Sequence, residues 1–410
     1  MRNKKLLLIG IVIMGIFFIS SNTSSINILW IKCYGGYLEE DPVGMIKMLN
    51  GDVIIGSNSR SFDGDVGKIY GKKYEDQNIF IYRINKNGNI IWKRIIGGTN
   101  GNYGEFVNNI VQMDGGKFLI YGITNSNDYD MKGSGLSNDS KTSIPFIFIL
   151  NENGEILYKM FCTDLFKNGI NQIEKFNKGY LIYFFEDNKK IKLGYYLFDN
   201  GFQMIWNFEI KGWDHLYVNN DSFFISDLNG QKIDQYDKNG NLLRTINIDN
   251  SKYKIHKFYK FAYWNNFFVF IFNNIVRIAD TNGNIILEKK IEPKSPYNEN
   301  YFSDFISYSK DKFILVSNNY VIIDKDKQDE FQTDICIMLM DQKGNILEEK
   351  YIKGNWVDST KYLYPLSDHE FILLGQTNST GGDIQGAHVD YNISELGNDK
   401  DILVVKFSIE

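Results

Sequence analysis

Cysteine, proline and histidine are scarce in this sequence, with 3, 5 and 4 residues among 410. The cysteines are odd in number and far apart, which excludes a disulfide framework, and we expect Cys33, Cys162 and Cys336 to be small buried side chains. Scarce proline argues against a proline-rich disordered chain. The histidines lack the paired spacing of zinc ligands, and there is no G-x-S-x-G, P-loop or Cys/His pair. The sequence therefore predicts no enzyme and no cofactor.

Clustered charge is missing as well. The net charge is −5, and lysine and arginine are spread evenly along the chain. The sequence therefore lacks the basic patch that is typical of nucleic-acid-binding proteins, and we predict no nucleic-acid partner.

The longest apolar run lies at the N-terminus. Basic Met1–Lys5 precedes the apolar run Leu6–Ile19, and small polar residues 20–25 follow. The run is short for a membrane span, so we predict a signal peptide over residues 1–21 and an exported protein that is secreted, periplasmic or on the cell surface. The alternative is an uncleaved N-terminal anchor, which would then be the protein's membrane contact.

Aromatic residues and glycine, in contrast, are plentiful, with 30 Phe, 26 Tyr and 36 Gly. Residues 78–124 contain four short runs rich in Ile, Val, Phe and Tyr: NIFIYRIN, IIWKRII, FVNNIVQM and KFLIYGIT. The breaks between them hold Asn-Gly, Gly-Gly and Asp-Gly-Gly, which supply positive φ at little steric cost. The segment therefore predicts four short strands, with hairpin turns at its first and last breaks.

Degenerate copies of this unit fill the chain. Each is marked by a turn of the form [D/N]-x-x-G-[N/E] before a strand, and successive turns are 39 to 66 residues apart. The marker glycines are Gly88, Gly154, Gly240, Gly283 and Gly344, with a turn one residue shorter at Gly201. Segment 26–33 matches the strand after such a turn and segment 401–407 the strand before it, so pairing the two closes a ring. We predict an all-β fold: a single seven-bladed β-propeller of four-stranded antiparallel blades over residues 26–410, its last blade completed by the N-terminal strand.

Extra length in the longer units falls between the second and third strands. It lies at Ser59–Gln77 in unit one, Asn125–Pro145 in unit two and Asn378–Lys400 in unit seven; unit six has a different insert, Tyr320–Thr333. Because units seven, one and two are consecutive in a ring, we expect the three long loops on one sector of one face.

Acidic residues repeat inside these loops. Asp63 and Asp65, Asp128 and Asp130, and Asp383 follow the second strands of units one, two and seven. Alternating Asp and Asn with Gly can wrap calcium, but the twelve-residue ligand spacing and its terminal Glu are missing. We therefore favour turns in which Asp and Asn cap their own backbone over a calcium site, and we take these five residues as candidate contact residues of the loops.

A second acidic pattern precedes the first strand of two units. Glu39-Glu40-Asp41 follows the first Gly-Gly, and Glu105 occupies the corresponding place in unit two. We interpret both as solvated turns.

The repeats resemble those of secreted bacterial β-propeller proteins. Their repeat has four consecutive motifs: W-x-K-x-x-G-G, D-G-G-x-[I/F]-x-x-G-x-T-x-S-x-D-x-D, D-x-x-[V/I]-x-[K/R]-[L/I/F] and D-x-x-G-N. In this sequence the first corresponds to IIWKRIIGG, the second to MDGGKFLIYGITNSNDYD, and the last two together to NIFIYRINKNGN. The marker tryptophans Trp30 and Trp92 are replaced in later units, and Trp206 lies one residue out of phase. The resemblance implies a propeller fold and export, without a single activity.

A second resemblance concerns the motif D-x-x-G-N-x-x-W. It is similar to the tryptophan-docked blades of quinoprotein dehydrogenases and of the propeller lipoprotein in outer-membrane protein assembly. The adjacent cysteines and eight blades of the quinoproteins have no counterpart here, so this resemblance implies an envelope assembly factor rather than a dehydrogenase.

Together these features predict a non-catalytic extracytoplasmic binding or scaffold module. We expect a monomer that engages a protein or glycan partner through the long loops of units seven, one and two, since loops on rigid scaffolds commonly carry recognition. Shortening the Ser59–Gln77 loop should then abolish partner binding and leave thermal stability nearly intact. The alternative is a propeller enzyme acting on a polymer, which requires titratable groups converging in the central channel.

Overall fold

Seven four-stranded antiparallel sheets form a ring in the computed structural model. The structure describes residues 24–71, 76–99, 104–137, 141–186, 190–198, 202–210, 215–219, 221–227, 230–249, 260–322, 331–388 and 399–410. The predicted signal peptide lies outside these residues. No helix in the described ranges is long and apolar enough to cross a membrane.

The described strands are, in chain order, β1 (Ile26–Tyr34), β2 (Glu40–Lys47), β3 (Val53–Ser59), β4 (Asn78–Ile84), β5 (Ile90–Ile96), β6 (Phe106–Gln112), β7 (Phe118–Thr124), β8 (Ile144–Leu150), β9 (Ile156–Phe161), β10 (Ile170–Phe176), β11 (Gly179–Phe185), β12 (Ile191–Leu197), β13 (Gln203–Ile210), β14 (His215–Val218), β15 (Ser222–Ser226), β16 (Lys232–Asp237), β17 (Leu242–Asn247), β18 (Lys260–Trp264), β19 (Phe267–Phe272), β20 (Ile275–Asp280), β21 (Ile285–Lys290), β22 (Glu299–Ser307), β23 (Lys312–Ile322), β24 (Phe331–Asp341), β25 (Ile346–Ile352), β26 (Asp358–Pro365), β27 (Glu370–Thr377) and β28 (Asp401–Ile409). Short 3-10 turns occur at Asp114–Gly116 and Tyr129–Met131.

Ring closure is as predicted. Blades 1 to 6 are consecutive groups of four strands, from β2–β5 to β22–β25, and blade 7 has the order β26-β27-β28-β1. The N-terminal strand pairs antiparallel with the C-terminal one, with Ile26 opposite Ile409 and Tyr34 opposite Ile402. We call the strands of a blade A to D from the channel outward. The seven-bladed propeller prediction is therefore confirmed.

The marker turns work through a local side-chain cap. The Asn85 side chain accepts hydrogen bonds from the backbone N–H groups of Asn87 at 2.9 Å and Asn89 at 3.0 Å, and Gly88 takes a φ of 75°. Asp341 makes the same pair of bonds in blade 6. These are the Asx turns that the repeated Asp or Asn predicts.

Seven apolar clusters hold the ring together, one between each pair of neighbouring blades. Both faces of a blade are therefore buried, which explains why strands such as FLIYGIT of β7 are continuous apolar runs. As expected, Cys162 and Cys336 are buried in such clusters; Cys33 is half-buried, and all three thiols are unpaired.

Marker tryptophans join neighbouring blades. The indole N–H of Trp30 donates to the Lys86 carbonyl at 3.1 Å, and that of Trp92 donates to the Glu152 carbonyl at 3.0 Å. In both cases the acceptor lies in the C–D turn of the following blade, so the tryptophan docks one D strand onto the next turn.

Trp206 takes the same structural place despite its shift in sequence. It pairs with Tyr195 directly after a bulge, as Trp92 pairs with Arg83, and it lies against Gly240 of the following turn. Strand β13 keeps the bulge of β5, so the offset in sequence leaves the docking position of the tryptophan unchanged.

The two ends of the predicted blade 6 insert, Tyr320–Thr333, are strand rather than loop. Strands β23 and β24 are longer than their counterparts, and Tyr320 pairs with Thr333 and Ile322 with Phe331. Most of the apolar part of the expected loop Tyr320–Thr333 is thus strand, while its charged residues 323–330 lie outside the described residues.

Candidate functional site

The long loops lie where they were predicted. Residues 60–77, 125–143 and 378–400 connect strands B and C of blades 1, 2 and 7, which are neighbours in the ring. All B–C connections and the linkers that join strand D of one blade to strand A of the next share one face of a propeller. We call this part of that face the loop sector, consisting of the described residues of these three loops and the linkers at residues 35–39, 97–99 and 353–357.

In blade 1 the predicted aspartates brace a linker. The Asp63 carboxylate accepts a hydrogen bond from the Tyr37 backbone N–H at 2.9 Å, and that of Asp65 accepts from the Gly35 N–H at 3.4 Å. The Asp65 backbone N–H donates in turn to the Gly35 carbonyl at 2.7 Å. The B–C loop therefore holds the linker that enters its own blade.

Blade 2 repeats this arrangement. The Asp128 carboxylate accepts from the backbone N–H of Thr99 at 2.9 Å and also from its hydroxyl. The Asp130 carboxylate accepts from the Gly97 N–H at 3.4 Å and pairs with Arg94 at 3.2 Å.

In blade 7 the Asp383 carboxylate accepts from the Lys353 N–H at 2.9 Å. The five predicted residues thus lie in three separate bracing sites, one per blade, and their carboxylates bind linker backbone rather than capping their own loop. Across the described part of the chain, no three His, Cys, Asp or Glu side chains converge in an arrangement that could hold a metal ion.

This bracing alters the expectation for loop shortening. Removing Ser59–Gln77 would also remove Asp63 and Asp65, and with them the contacts that fix the Gly35–Tyr37 linker. We therefore expect such a deletion to lower stability as well as binding, and point substitutions on the outer surface are the sharper test.

A buried acid lies beneath each braced linker. Glu40, Glu105 and Asp358, at or just before strand A of blades 1, 2 and 7, are fully buried. Glu40 accepts from the Gly36 N–H at 2.9 Å and the Ser59 hydroxyl at 2.7 Å. The interpretation of Glu40 and Glu105 as solvated turns is therefore wrong.

The other two acids have matching partners. Glu105 accepts from the Gly98 N–H at 3.0 Å and the Thr124 hydroxyl at 3.1 Å, and Asp358 accepts from the Thr377 hydroxyl at 2.5 Å. In all three blades the hydroxyl lies 19 residues after the acid. A repeated acid-to-hydroxyl spacing is the sequence signal that would have identified these residues.

Burial sets the ionisation of these carboxyls. It raises the pKa of Glu40 to about 8, although the hydroxyls of Ser61 and Ser59 lower it. Burial likewise raises the pKa of Asp358 to about 7 and the pKa of Glu105 above its ordinary value. A charged carboxylate without a cation is costly in such a place, so burial opposes ionisation at all three sites, and at neutral pH Glu40 favours the protonated acid.

A second carboxyl faces Glu40 across Gly35. A Cβ added at Gly35 would lie 2.2 Å from Glu40 Oε2 and 2.4 Å from Asp401 Oδ1, so only glycine fits between them. Asp401 Oδ2 accepts from the backbone N–H of His388 and contacts its Nδ1, each at 2.9 Å, whereas Oδ1 is buried without a hydrogen-bond partner in the described residues. This junction between blades 7 and 1 therefore concentrates protonatable groups.

Between the loops of blades 1 and 2 lies an open cleft of about 620 Å³. Its walls include Tyr70 and Tyr129, whose ring centroids are 4.6 Å apart with an interplanar angle of 32°. Lys68 and Lys93 line it with exposed side chains. We call this the tyrosine cleft, defined by these four residues.

Exposed aromatic side chains mark the loop sector. Tyr37, Tyr129 and Trp356, from blades 1, 2 and 7, are 44%, 60% and 44% exposed. Among the described residues, the other large aromatic side chain of this exposure is Tyr158, at 44%, on the outer strand β9. The aromatic surface is thus concentrated on the face that carries the long loops.

The central channel is polar. A cavity of about 760 Å³ is lined by residues of several A strands. Lys260 pairs with Asp304, and Lys361 pairs with Asp41. Burial raises the pKa of Glu174, which lines the same cavity. Titratable groups thus meet in the channel, although both lysines are held in ion pairs.

Comparison with known proteins gives a fold and no family. No protein-family model matches this sequence, and no curated protein matches it. The solved structure of U3-55K is 6% identical, covering 93% of this chain and 99% of that chain with a TM-score of 0.50. The AfRom2 CNH domain is 9% identical over 93% and 98% with a TM-score of 0.48, and the Neurospora crassa Pan2 WD40 domain is 9% identical over 67% and 85% with a TM-score of 0.40. At these identities the similarity shows the β-propeller fold alone.

Proposed function

We propose that this protein is a non-catalytic binding or scaffold module that engages a protein or glycan through the loop sector. The observation that carries the proposal is the set of exposed aromatic residues Tyr37, Tyr129 and Trp356, one on each of three consecutive blades. Tyrosine and tryptophan are enriched in recognition surfaces and at their energetic hot spots, because they bring large contact area with few rotatable bonds.

The bracing of the linkers supports the same proposal. Tyr37 is fixed through its backbone N–H by Asp63, and the Trp356 backbone N–H donates to the Ser379 hydroxyl at 2.9 Å. Aromatic groups on such braced backbone are held in place before a partner arrives, which lowers the entropic cost of binding.

We also propose that the protein acts outside the cytoplasm. The support is the basic and apolar N-terminal segment, Met1–Ile19, together with the resemblance of the repeats to those of secreted propellers.

A propeller enzyme acting on a polymer is the second candidate, favoured by the titratable groups in the channel. Among the described channel residues, Glu174 is its candidate catalytic group, because Asp304 and Asp41 are held by lysines. Loss of a polymer-cleaving activity in Glu174→Gln would support this candidate over the first.

A pair of substitutions with a matched control tests the binding proposal. Tyr37→Ala combined with Trp356→Ala removes two exposed anchors, whereas Tyr158→Ala removes a tyrosine of equal exposure from the outer strand β9. Immobilised wild-type and variant proteins would be probed with a glycan array and with cross-linked envelope and extracellular proteins. For a glycan or protein that the wild type binds, we expect the double variant to have at least about 30-fold lower affinity, as is typical when hot-spot residues are removed. The control variant should keep the wild-type affinity. Equal binding by all three proteins would contradict the proposal.

A further inference from the structure

We propose that the tyrosine cleft is a binding site for an acidic sugar ring, such as a carboxylate-bearing unit of a glycan. The proposal rests on the proposed function, because the cleft lies within the loop sector and would be one of its recognition sites. Its volume of about 620 Å³ lies in the range of small-ligand sites, which is about 300–1,000 Å³.

An aromatic shelf forms one wall of the cleft. Tyr70 comes from the loop of blade 1 and Tyr129 from that of blade 2, and their rings lie 4.6 Å apart at 32°. Burial, together with the neighbouring Asp130 carboxylate, raises the pKa of the Tyr70 hydroxyl. At this distance the two rings stack on each other, so Tyr70 supports the Tyr129 ring, which is 60% exposed and offers its free surface to the C–H face of a sugar ring.

The backbone of Tyr129 is held in an unfavourable conformation. Its φ is 43°, in the left-handed region that a residue with a bulky side chain rarely adopts. The neighbouring hydrogen bonds explain how it is maintained: the Asp130 N–H donates to the Gly97 carbonyl at 3.2 Å, and the Met131 N–H donates to the Asp128 carbonyl at 2.8 Å. The turn places an aromatic ring over the cleft where glycine or asparagine would satisfy the backbone with less strain, and such strain is typical of functional positions.

The charged residues among the described lining of the cleft are all basic. Lys93 Nζ donates to the Asp65 backbone carbonyl at 2.6 Å, and neither Lys93 nor Lys68 is paired with a carboxylate in the described residues. The nearby carboxylates of Asp128 and Asp130 are directed at the linker and at Arg94. An anionic ligand would therefore meet two ammonium groups, and only a ligand carrying negative charge would satisfy both.

The backbone around the cleft offers little to a peptide. The N–H groups of Asp65, Gly67 and Tyr70 donate to Gly35, Asp63 and Asn78, and that of Thr99 donates to Asp128. Extended peptides gain much of their affinity from main-chain hydrogen bonds, for which these four donors are already used. Recognition here is left to ring faces and ammonium groups, which favours a sugar over a peptide.

Titration of the full-length protein with defined probes tests the proposal. The acidic probe is a galacturonic acid oligomer, the neutral probe is the corresponding galactose oligomer, and the peptide probe is poly-glutamate. We expect the wild type to bind the acidic oligomer at least tenfold more tightly than either other probe. Its affinity should fall as salt is raised, because ammonium–carboxylate attraction is screened.

Substitutions locate the site. Lys68→Gln with Lys93→Gln should weaken binding of the acidic oligomer at least tenfold, and so should Tyr129→Ala, whereas Tyr158→Ala should bind within twofold of wild type. Tyr129→Gly serves as a second variant, because it removes the ring and tolerates the left-handed backbone, so lost binding cannot be ascribed to misfolding. Unchanged binding in these variants, or equal binding of the neutral oligomer or poly-glutamate, would overturn the assignment.

Failure of this inference is distinguishable from failure of the proposed function. In one outcome, the double variant Tyr37→Ala with Trp356→Ala loses binding of a glycan or protein that the tyrosine-cleft variants still bind as the wild type does. In that case the loop sector is a recognition surface and the acidic-sugar assignment is wrong. If no variant of either set changes any binding, both are wrong.

Discussion

Substituting Glu40 by glutamine should make the protein less sensitive to alkaline pH. Glu40 is fully buried beneath the linker between blades 7 and 1, and burial raises its pKa from 4.5 to about 8. For an acid whose pKa is raised by folding, the stabilisation is complete below the unfolded-state pKa and is lost as pH rises through the folded-state pKa. The window therefore runs from about pH 4.5 to about pH 8.

The size of the effect follows from the same two values. A difference of one in pKa corresponds to about 1.4 kcal/mol, so the ionisation of Glu40 opposes folding by at most about 5 kcal/mol above pH 8. Glutamine mimics the protonated acid: its carbonyl can accept from the Gly36 N–H, and its amide can donate to the Ser59 hydroxyl. Near pH 5 wild type and Glu40→Gln should be similarly stable, and near pH 9 the variant should be more stable by several kcal/mol.

Urea denaturation at about pH 5, 7 and 9 measures this difference directly. The control is Glu39→Gln, which removes the neighbouring half-buried carboxylate and should shift the free energy of unfolding by the same small amount at every pH. A difference between wild type and Glu40→Gln that stays constant over the whole range would refute the reasoning, since it would mean that the carboxylate is ionised in the fold without penalty.

Two further predictions concern the ring itself. Trp92→Ala should destabilise the protein by about 2–4 kcal/mol in thermal or urea denaturation, because it removes the half-buried ring and its hydrogen bond to the next blade. The control is Ile91→Ala, which truncates a bulge residue whose side chain is 50% exposed and should cost less than about 0.5 kcal/mol. Equal losses of stability in the two variants would show that tryptophan docking contributes nothing. Deleting strand β1 should leave β28 as an open sheet edge, so the variant should aggregate, as detected by size-exclusion chromatography. A synthetic peptide with the β1 sequence, added in trans, should reverse the aggregation. A soluble deletion variant with an unchanged melting temperature would contradict the role of closure.

The architecture could be predicted because its signals are local. A turn such as Asn85–Asn89 is specified by residues within five positions of one another, and each strand carries its own Ile, Val and aromatic content. Six such turns and two matching half-units suffice for the blade number and for closure.

The site was less accessible because its contacts are not local. Nothing beside Glu40 in sequence reveals the Ser59 hydroxyl that donates to it, and a run of three acids shortly after Gly-Gly is equally typical of an exposed turn. Similarly, Tyr70 and Tyr129 meet only because two loops of different blades lean together. The sector was predicted from loop length, whereas the chemistry within it depends on side chains that only the fold brings into contact.

Closure through β1 has a consequence for how the chain is made. Among the described strands, β1 is synthesised before all the others and its partner β28 after them, since Ile26 pairs with Ile409. At synthesis rates of about 5–20 residues per second, the N-terminal strand waits on the order of 20 to 80 seconds for its partner. During that time it must be protected from pairing with another chain. A holding chaperone that covers β1 would protect it over that interval.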